Sequence, residues 1–540
     1  MRRALAVFVL ALLASASPVH AASAAPAHPD HRLFVVSDSV VLGAASAVHR
    51  AFAGWDVNII GRSGLFANDA AEMAWASRAL IGKVAVVAVG YNYPVWNPPL
   101  FDAWIDQMMT RLTQAGAEHV FWITLRNLVP GQDPIRSVWE QTGIYKHYPE
   151  ANATLARAMS RWPQLRLADW ATVGAGPGLT WDGIHLDPKG AELMAGLIHD
   201  EVYGIGRVEA GADLTVAVPQ VAPGSAAVLN LTATLARGPG FLTVHACGQP
   251  VPAASTLNFT AGATTSNVAV VPVDATQKVC VHASEAVHVI ADLDGALAGP
   301  GLVTGDPVRV FDTRPTIGRG GAGTVSRVAL GVPAGTIAAL VNVAVTAPTG
   351  PGYLTVYPCD APVPTTSSLN FAAGQTVASL TLANVDAAGE LCIYQSTATH
   401  VFVDVEGHFA GGSGYQPVAA SRLLDTRVGS GTAVAAGTVT HVPLGSSAAG
   451  SFVTVTVDHP TTDGYVTAYP CASGVPLASN ANPAAGHTVA SAVFVAGAEL
   501  CVVASTPAHF VVDRSGTFAS GSFVAAGPVR LRDTRDDGVA

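Results

Sequence analysis

The chain has 540 residues, half of them hydrophobic and 12% charged, with a formal net charge of -10, a pI near 5.9 and a mean hydropathy of +0.37. That length exceeds one ordinary core, so two or more domains are expected. Only four lysines are present and basic residues form no cluster, which excludes nucleic acid and other polyanions as partners.

The one long apolar run covers residues 4–14, behind Arg2 and Arg3, and leads to Val19-His20-Ala21. This pattern predicts a signal peptide over residues 1–21 and an exported mature chain with no transmembrane segment. No cysteine stands at the cleavage point to carry a lipid.

From residue 30 to 205, short apolar runs at 32–36, 56–60, 83–89, 119–125 and 165–168 alternate with stretches of helical periodicity at 40–52, 67–80, 99–115 and 150–161. Asp187-Pro188 reads as an N-cap and first residue of a last helix ending near Tyr203. The alternation predicts a three-layer α/β/α domain around a parallel five-stranded sheet.

The grammar changes near residue 206. All nine tryptophans precede it, and all six cysteines follow it. Gly240-Phe-Leu-Thr-Val-His-Ala-Cys247, Gly352-Tyr-Leu-Thr-Val-Tyr-Pro-Cys359 and Gly464-Tyr-Val-Thr-Ala-Tyr-Pro-Cys471 are copies of one segment, and Arg309-Val-Phe-Asp-Thr-Arg314, Arg422-Leu-Leu-Asp-Thr-Arg427 and Arg530-Leu-Arg-Asp-Thr-Arg535 close the three copies. Three all-β, sandwich-like modules are expected at 207–314, 315–427 and 428–540. Pairing within each repeat is the scheme that recurs with the sequence, giving Cys247–Cys280, Cys359–Cys392 and Cys471–Cys501, and it suits an exported chain. A zinc site is a poor alternative, because two cysteines without nearby paired histidines do not close one. Asp312, Asp425 and Asp533, each between two arginines, read as paired charges tying strands together rather than as ligand-binding groups. Asp292-Leu-Asp294 and Asp404-Val-Glu406 hint at calcium, but Asp513-Arg-Ser515 lacks the second acid, so no metal is expected.

Chemistry falls in the first domain. Ser39 follows the first predicted strand, where the carboxyl edge of a parallel sheet and a helix N-terminus favour developing negative charge. Alone, such a serine is more often a helix cap than a nucleophile. Asp182 and His185, in Thr180-Trp-Asp-Gly-Ile-His-Leu186 after the fifth strand, return to the same edge, and a serine needs such a base with its orienting carboxylate to attack a carbonyl.

At these residues the chain resembles the SGNH (GDSL-like) hydrolase family, most closely its extracellular branch near peptidoglycan O-acetyltransferase domains. Ser37-Asp-Ser-Val40 stands for the family's Gly-Asp-Ser block and Asp182-Gly-Ile-His185 for its Asp-x-x-His block. The resemblance covers residues 32 to about 203. It implies a flavodoxin-like SGNH fold, with Ser39 as nucleophile, His185 as general base and acid, and Asp182 as orienter. The implied oxyanion hole comprises the Ser39 amide, the amide of Gly61 or Gly64, and the Asn92 side chain. No cofactor is implied. Ser37 departs from the family's glycine and Tyr93 from its aspartate. The repeats resemble modules attached to exported actinobacterial enzymes, which points to cell-wall polysaccharide contact.

The leading expectation is a secreted serine esterase acting on an acyl or O-acetyl group of a carbohydrate or small ester. Transfer of that group to a cell-wall polysaccharide is the nearest rival, and a carbohydrate-binding surface protein with an inert first domain is the third reading. Tyr91, Tyr93, Trp96 and Trp181 sit near strand ends, where most would pack against the sheet and some line a pocket. Arg126 and Asn127, after the fourth strand, are placed to contact a polar substrate.

Overall fold

The computed structural model describes residues 31–128, 137–315, 317–429, 431–445 and 449–536. The signal peptide expected over residues 1–21 lies outside them. Among the described residues no helix is long and apolar enough to cross a membrane.

The first domain runs β1 (Arg32–Ser37), α1 (Ser39–Ala51), β2 (Asp56–Gly61), α2 (Ala67–Ala76), β3 (Val84–Ala88), α3 (Leu100–Gln114), β4 (His119–Ile123), α4 (Ser137–Thr142), α5 (Tyr148–Ala158), β5 (Leu165–Ala168), α6 (Trp170–Val173) and α7 (Pro188–Val202). The five strands form the expected parallel sheet in the order β2-β1-β3-β4-β5. Leu33 to Val36 and Val84 to Val87 are fully or almost fully buried, as strands covered on both faces must be. Helices α1 and α7 pack together, and α2, α3 and α5 form a second packed set. Asp187 caps α7 by accepting from the Gly190 amide at 2.7 Å, with Pro188 at the first turn, as the sequence implies. The short helices α4 and α6 have no counterpart in the sequence reading, since four to six residues carry too little periodicity to register.

Beyond residue 206 the described residues form six small antiparallel sheets, two to a repeat. In the first repeat, Val216, Leu242 and Val281 of one sheet pack on Leu229, Leu231 and Val289 of the other. Pairing within the second sheet crosses from repeat to repeat. The strand Leu302–Asp312 joins His400–Ala410, Tyr415–Asp425 joins His509–Phe518, and the last strand, Phe523–Asp533, returns to join His288–Leu297 of the first repeat. The three repeats therefore close into a ring. Equivalent positions meet in one shared core: Val228, Leu340 and Phe452, then Val270, Leu382 and Phe494, then Leu297, Phe409 and Phe518. The disulfides pair Cys247–Cys280, Cys359–Cys392 and Cys471–Cys501, with Cα atoms 5.0, 4.9 and 4.9 Å apart.

Arginines rivet the crossing strands. Arg309 forks onto Asp404 at 2.7 and 2.9 Å, Arg422 onto Asp513 at 2.9 and 3.2 Å, and Arg530 onto Asp292. Two residues beyond Asp292 and Asp404, the acids Asp294 and Glu406 are each 4% exposed. Both carboxyl oxygens of Asp294 and Oε2 of Glu406 lack a donor among the described residues. Each acid faces a bulge in the crossing strand, and the third repeat has Ser515 instead.

Burial, with a smaller push from Asp292, raises the Asp294 carboxyl to about 8, and burial raises Glu406 to about 8 as well. A carboxyl raised on folding takes up protons relative to the unfolded chain. Its contribution to stability is therefore fully present below the ordinary carboxylate range and lost as pH climbs toward 8. We expect Asp294→Asn combined with Glu406→Gln to flatten the fall in melting temperature between pH 5 and pH 9 by about 3 °C or more, measured by calorimetry on the oxidised chain. An identical pH dependence in wild type and variant would refute this.

Candidate active site

The order of the sheet places the site. The chain steps from β1 to one side for β2 and to the other for β3, opening a crevice at the carboxyl ends of β1 and β3. Ser39 follows β1 directly, as the first residue of α1. The helix cap is its neighbour Asp38, whose Oδ1 accepts from the Val40 amide at 3.1 Å. Ser39 is thereby relieved of capping, and its Oγ lies 2.8 Å from His185 Nε2.

His185 Nδ1 is 2.7 Å from Oδ2 of Asp182, which is 3% exposed. A carboxylate oxygen only accepts, so the ring proton sits on Nδ1 and Nε2 accepts from the serine hydroxyl. The other oxygen of Asp182 accepts from the amides of Ile184 at 3.2 Å and His185 at 2.8 Å. Gly183, at φ +92°, allows so tight a turn. A bridge between Thr180 and Leu186, and a bond from the Trp181 amide to the His185 carbonyl at 3.1 Å, close its base. The three residues that the sequence singled out thus form one hydrogen-bonded chain.

Ser37 and Asp38 are both fully buried. The Ser37 hydroxyl accepts from the Val41 amide at 3.2 Å and lies 2.9 Å from the Asp38 carbonyl, so it is absorbed by the first turn of α1. Burial pushes the Asp38 carboxyl up to about 7, against the pull of the Val40, Tyr91 and Gly90 amides.

Asn92 follows β3 and donates from Nδ2 to the Leu65 carbonyl at 3.2 Å, which joins it to the glycine loop after β2. At the end of β2, Gly61 has φ +155°, and a Cβ there would stand 1.8 Å from the Ser37 carbonyl oxygen. Gly61 is therefore the residue that lets β2 pass so close to the turn that carries Ser39. Gly64, at φ +73°, faces open space.

The four aromatics divide evenly. Tyr91 and Tyr93 are buried, the latter stacked on His147 with centroids 5.4 Å apart. Trp96 and Trp181 are 64% and 60% exposed, and Trp181 lies flat against the His185 ring at 5.2 Å and 15°. Tyr93 is thus part of the core.

Arg126 departs from its sequence reading. It is 3% exposed, with its guanidinium turned inward onto backbone carbonyls, while Asn127 is exposed. Asn152, which the sequence reading passes over, brackets both the amide and the carbonyl of Leu125 with its side chain at 2.7 and 2.8 Å. An asparagine inside a helical stretch, beside buried Ala151 and Leu155, was the available signal.

No protein-family description matches the chain, and no curated protein sequence does. Solved structures align with about a third of it. The C-terminal catalytic domain of Streptococcus pneumoniae peptidoglycan O-acetyltransferase A is 22% identical over 32% of this chain and 90% of its own, with a TM-score of 0.25. A putative SGNH hydrolase from Slackia heliotrinireducens is 16% identical over 32% and 98%, at 0.28. A GDSL-like lipase from Bacteroides thetaiotaomicron is 16% identical over 33% and 91%, also at 0.28.

Proposed function

We propose that the first domain is a serine esterase that works through an acyl-Ser39 intermediate. The observation that carries the reading is the continuous hydrogen-bonded chain from Ser39 Oγ through His185 to the buried Asp182 carboxylate. As Ser39 Oγ attacks the ester carbonyl, its proton passes to His185 Nε2, and Asp182 stabilises the imidazolium. The Ser39 amide, the amide of Gly61 or Gly64, and Asn92 Nδ2 hold the oxyanion. Collapse breaks the bond to the leaving alkoxide, which takes the proton from His185 and departs as an alcohol. Water, deprotonated by the same imidazole, then attacks the acyl-serine and releases the acid. A sugar hydroxyl taking the place of that water would make the enzyme a transferase.

The substrate we favour is an acylated carbohydrate, with an O-acetyl group as the simplest case. Exposed Trp181, flat beside the reacting imidazole, offers the apolar face on which a sugar ring stacks. Three disulfides support a location outside the cytoplasm, where such polymers lie.

Purified full-length protein should hydrolyse p-nitrophenyl acetate, with Ser39→Ala lowering kcat on the order of 10⁴-fold or more and Asp182→Asn by about 10⁴-fold. Asn92→Ala should cost about 100- to 1000-fold. Turnover by Ser39→Ala at the wild-type rate would exclude the assigned nucleophile. With chitooligosaccharides present, mass spectrometry separates the two fates: free acetate alone means hydrolysis, and an acetylated oligosaccharide means transfer.

A further inference from the structure

We infer that Arg126 is the positioning residue that holds the Asp182–His185 turn in register with Ser39; the inference rests on the acyl-serine reading above. Arg126 leaves the carboxyl end of β4 and points into the protein. Its Nε donates to the Gly174 carbonyl at 2.6 Å, one terminal nitrogen to the Gly183 carbonyl at 3.1 Å and the other to the Gly176 carbonyl at 3.4 Å. Each nitrogen of the guanidinium thus engages a different peptide of the segment between α6 and the active-site turn.

That segment needs an external anchor. Gly174-Ala-Gly-Pro-Gly178 has almost no side chains with which to pack, and its glycines carry a high entropic cost of ordering. Carbonyls turned away from water also need donors, and one planar cation with a rigid fork of N–H groups serves those of buried Gly174 and Gly183 and half-buried Gly176. The base of the fork is itself fixed. The Arg126 amide donates to the Tyr91 hydroxyl at 2.9 Å, and Asn152 clasps the preceding peptide.

The Gly183 contact gives Arg126 a bearing on the chemistry. Gly183 lies inside the turn, directly after Asp182, and Asp182 Oδ1 takes the amides of Ile184 and His185. Carboxylate and imidazole therefore move as one unit, whose distance from Ser39 Oγ is set by whatever grips the turn from outside. Loss of that grip would leave the Asp182–His185 bond intact and misplace the imidazole relative to the serine. Rate should suffer and ester binding should not, since a shift of about 1 Å at a reacting group costs about 100-fold.

The test uses the full-length chain with Arg126→Ala, Arg126→Lys and Ser39→Ala, assayed on p-nitrophenyl acetate, with near-ultraviolet circular dichroism measuring the folded fraction. Per folded molecule, Arg126→Ala should lose about 100-fold in kcat with KM within about twofold. Added ethylguanidinium should restore about tenfold of that loss in Arg126→Ala and none in Ser39→Ala. Arg126→Lys, which keeps the charge and loses the fork, should also fall in kcat and answers the question if the alanine variant does not fold. If kcat per folded molecule is unchanged in the folded variants, or if ethylguanidinium fails to rescue a folded and impaired Arg126→Ala, the positioning role is overturned. Activity retained by Ser39→Ala would instead overturn the acyl-serine reading, so the two failures are distinguishable.

Discussion

The hydrogen bond between Ser39 and His185 joins residues 146 positions apart, and the first domain is organised by what that contact demands. In a parallel sheet every strand ends at the same edge, so a residue following β1 and one following β5 can meet if the chain after β5 turns back across the intervening strands. Close backbone approaches make the return feasible. Gly61 lets β2 run against the Ser37 carbonyl, and Gly190 lets α7 seat against the Leu179 carbonyl, where a Cβ would stand 1.9 Å from the oxygen. The first places the turn that carries Ser39, and the second places the helix behind the Asp-His turn. Either glycine replaced by a larger residue would displace one half of the pair from the other.

The ring meets the same demand by a different route. Among the described residues no repeat completes its own second sheet; the first and second lend a strand to the next, and Phe523–Asp533 of the third supplies the strand that the first lacks. Such exchange spreads stability over all three repeats, because each strand is hydrogen-bonded to one unit and covalently continuous with another. The first domain is tied to the seam where the ring closes. His288, fully buried, donates from Nε2 to the Tyr203 carbonyl at the end of α7 and accepts at Nδ1 from Thr534, just past the closing strand. His400 and His509 meet Thr313 and Thr426 in the other repeats, so the linkage to the first domain re-uses a contact that already belongs to the repeat.

Much of this was legible in the sequence, for physical reasons that also explain what was not. Parallel strands buried on both faces read as continuous apolar runs, and the five at 32–168 could hardly be anything else. The Asp-Gly-Ile-His segment stood out because two chemical residue types at that spacing serve one purpose. Within-repeat cysteine pairing followed from the period. Strand exchange left no trace, since Arg309-Val-Phe-Asp-Thr-Arg314 occupies the same place in its repeat whether its strand pairs at home or next door. The aromatics were ambiguous one by one, because burial of Tyr93 and exposure of Trp96 depend on loop paths that periodicity does not describe. Arg126 misled for a related reason. A lone arginine after a strand reads as a surface charge, and only the fold reveals three carbonyls converging on it.

Electrostatics at the head of α1 complete the picture of the proposed site. The N-terminus of a helix offers partial positive charge, and an anionic cap there would offset it where the oxyanion must develop. Asp38 occupies that cap, and burial lifts its carboxyl to about 7 against the pull of the Val40, Tyr91 and Gly90 amides. Burial thus favours the neutral carboxylic acid at the cap more than it would be favoured at an exposed aspartate. The neutral acid still accepts from the Val40 amide and fixes the helix start, while leaving the field of α1 largely uncancelled. Burial of Asp38 thus separates two duties that a solvent-exposed aspartate would set against each other, capping the helix and keeping its positive end available beside Ser39.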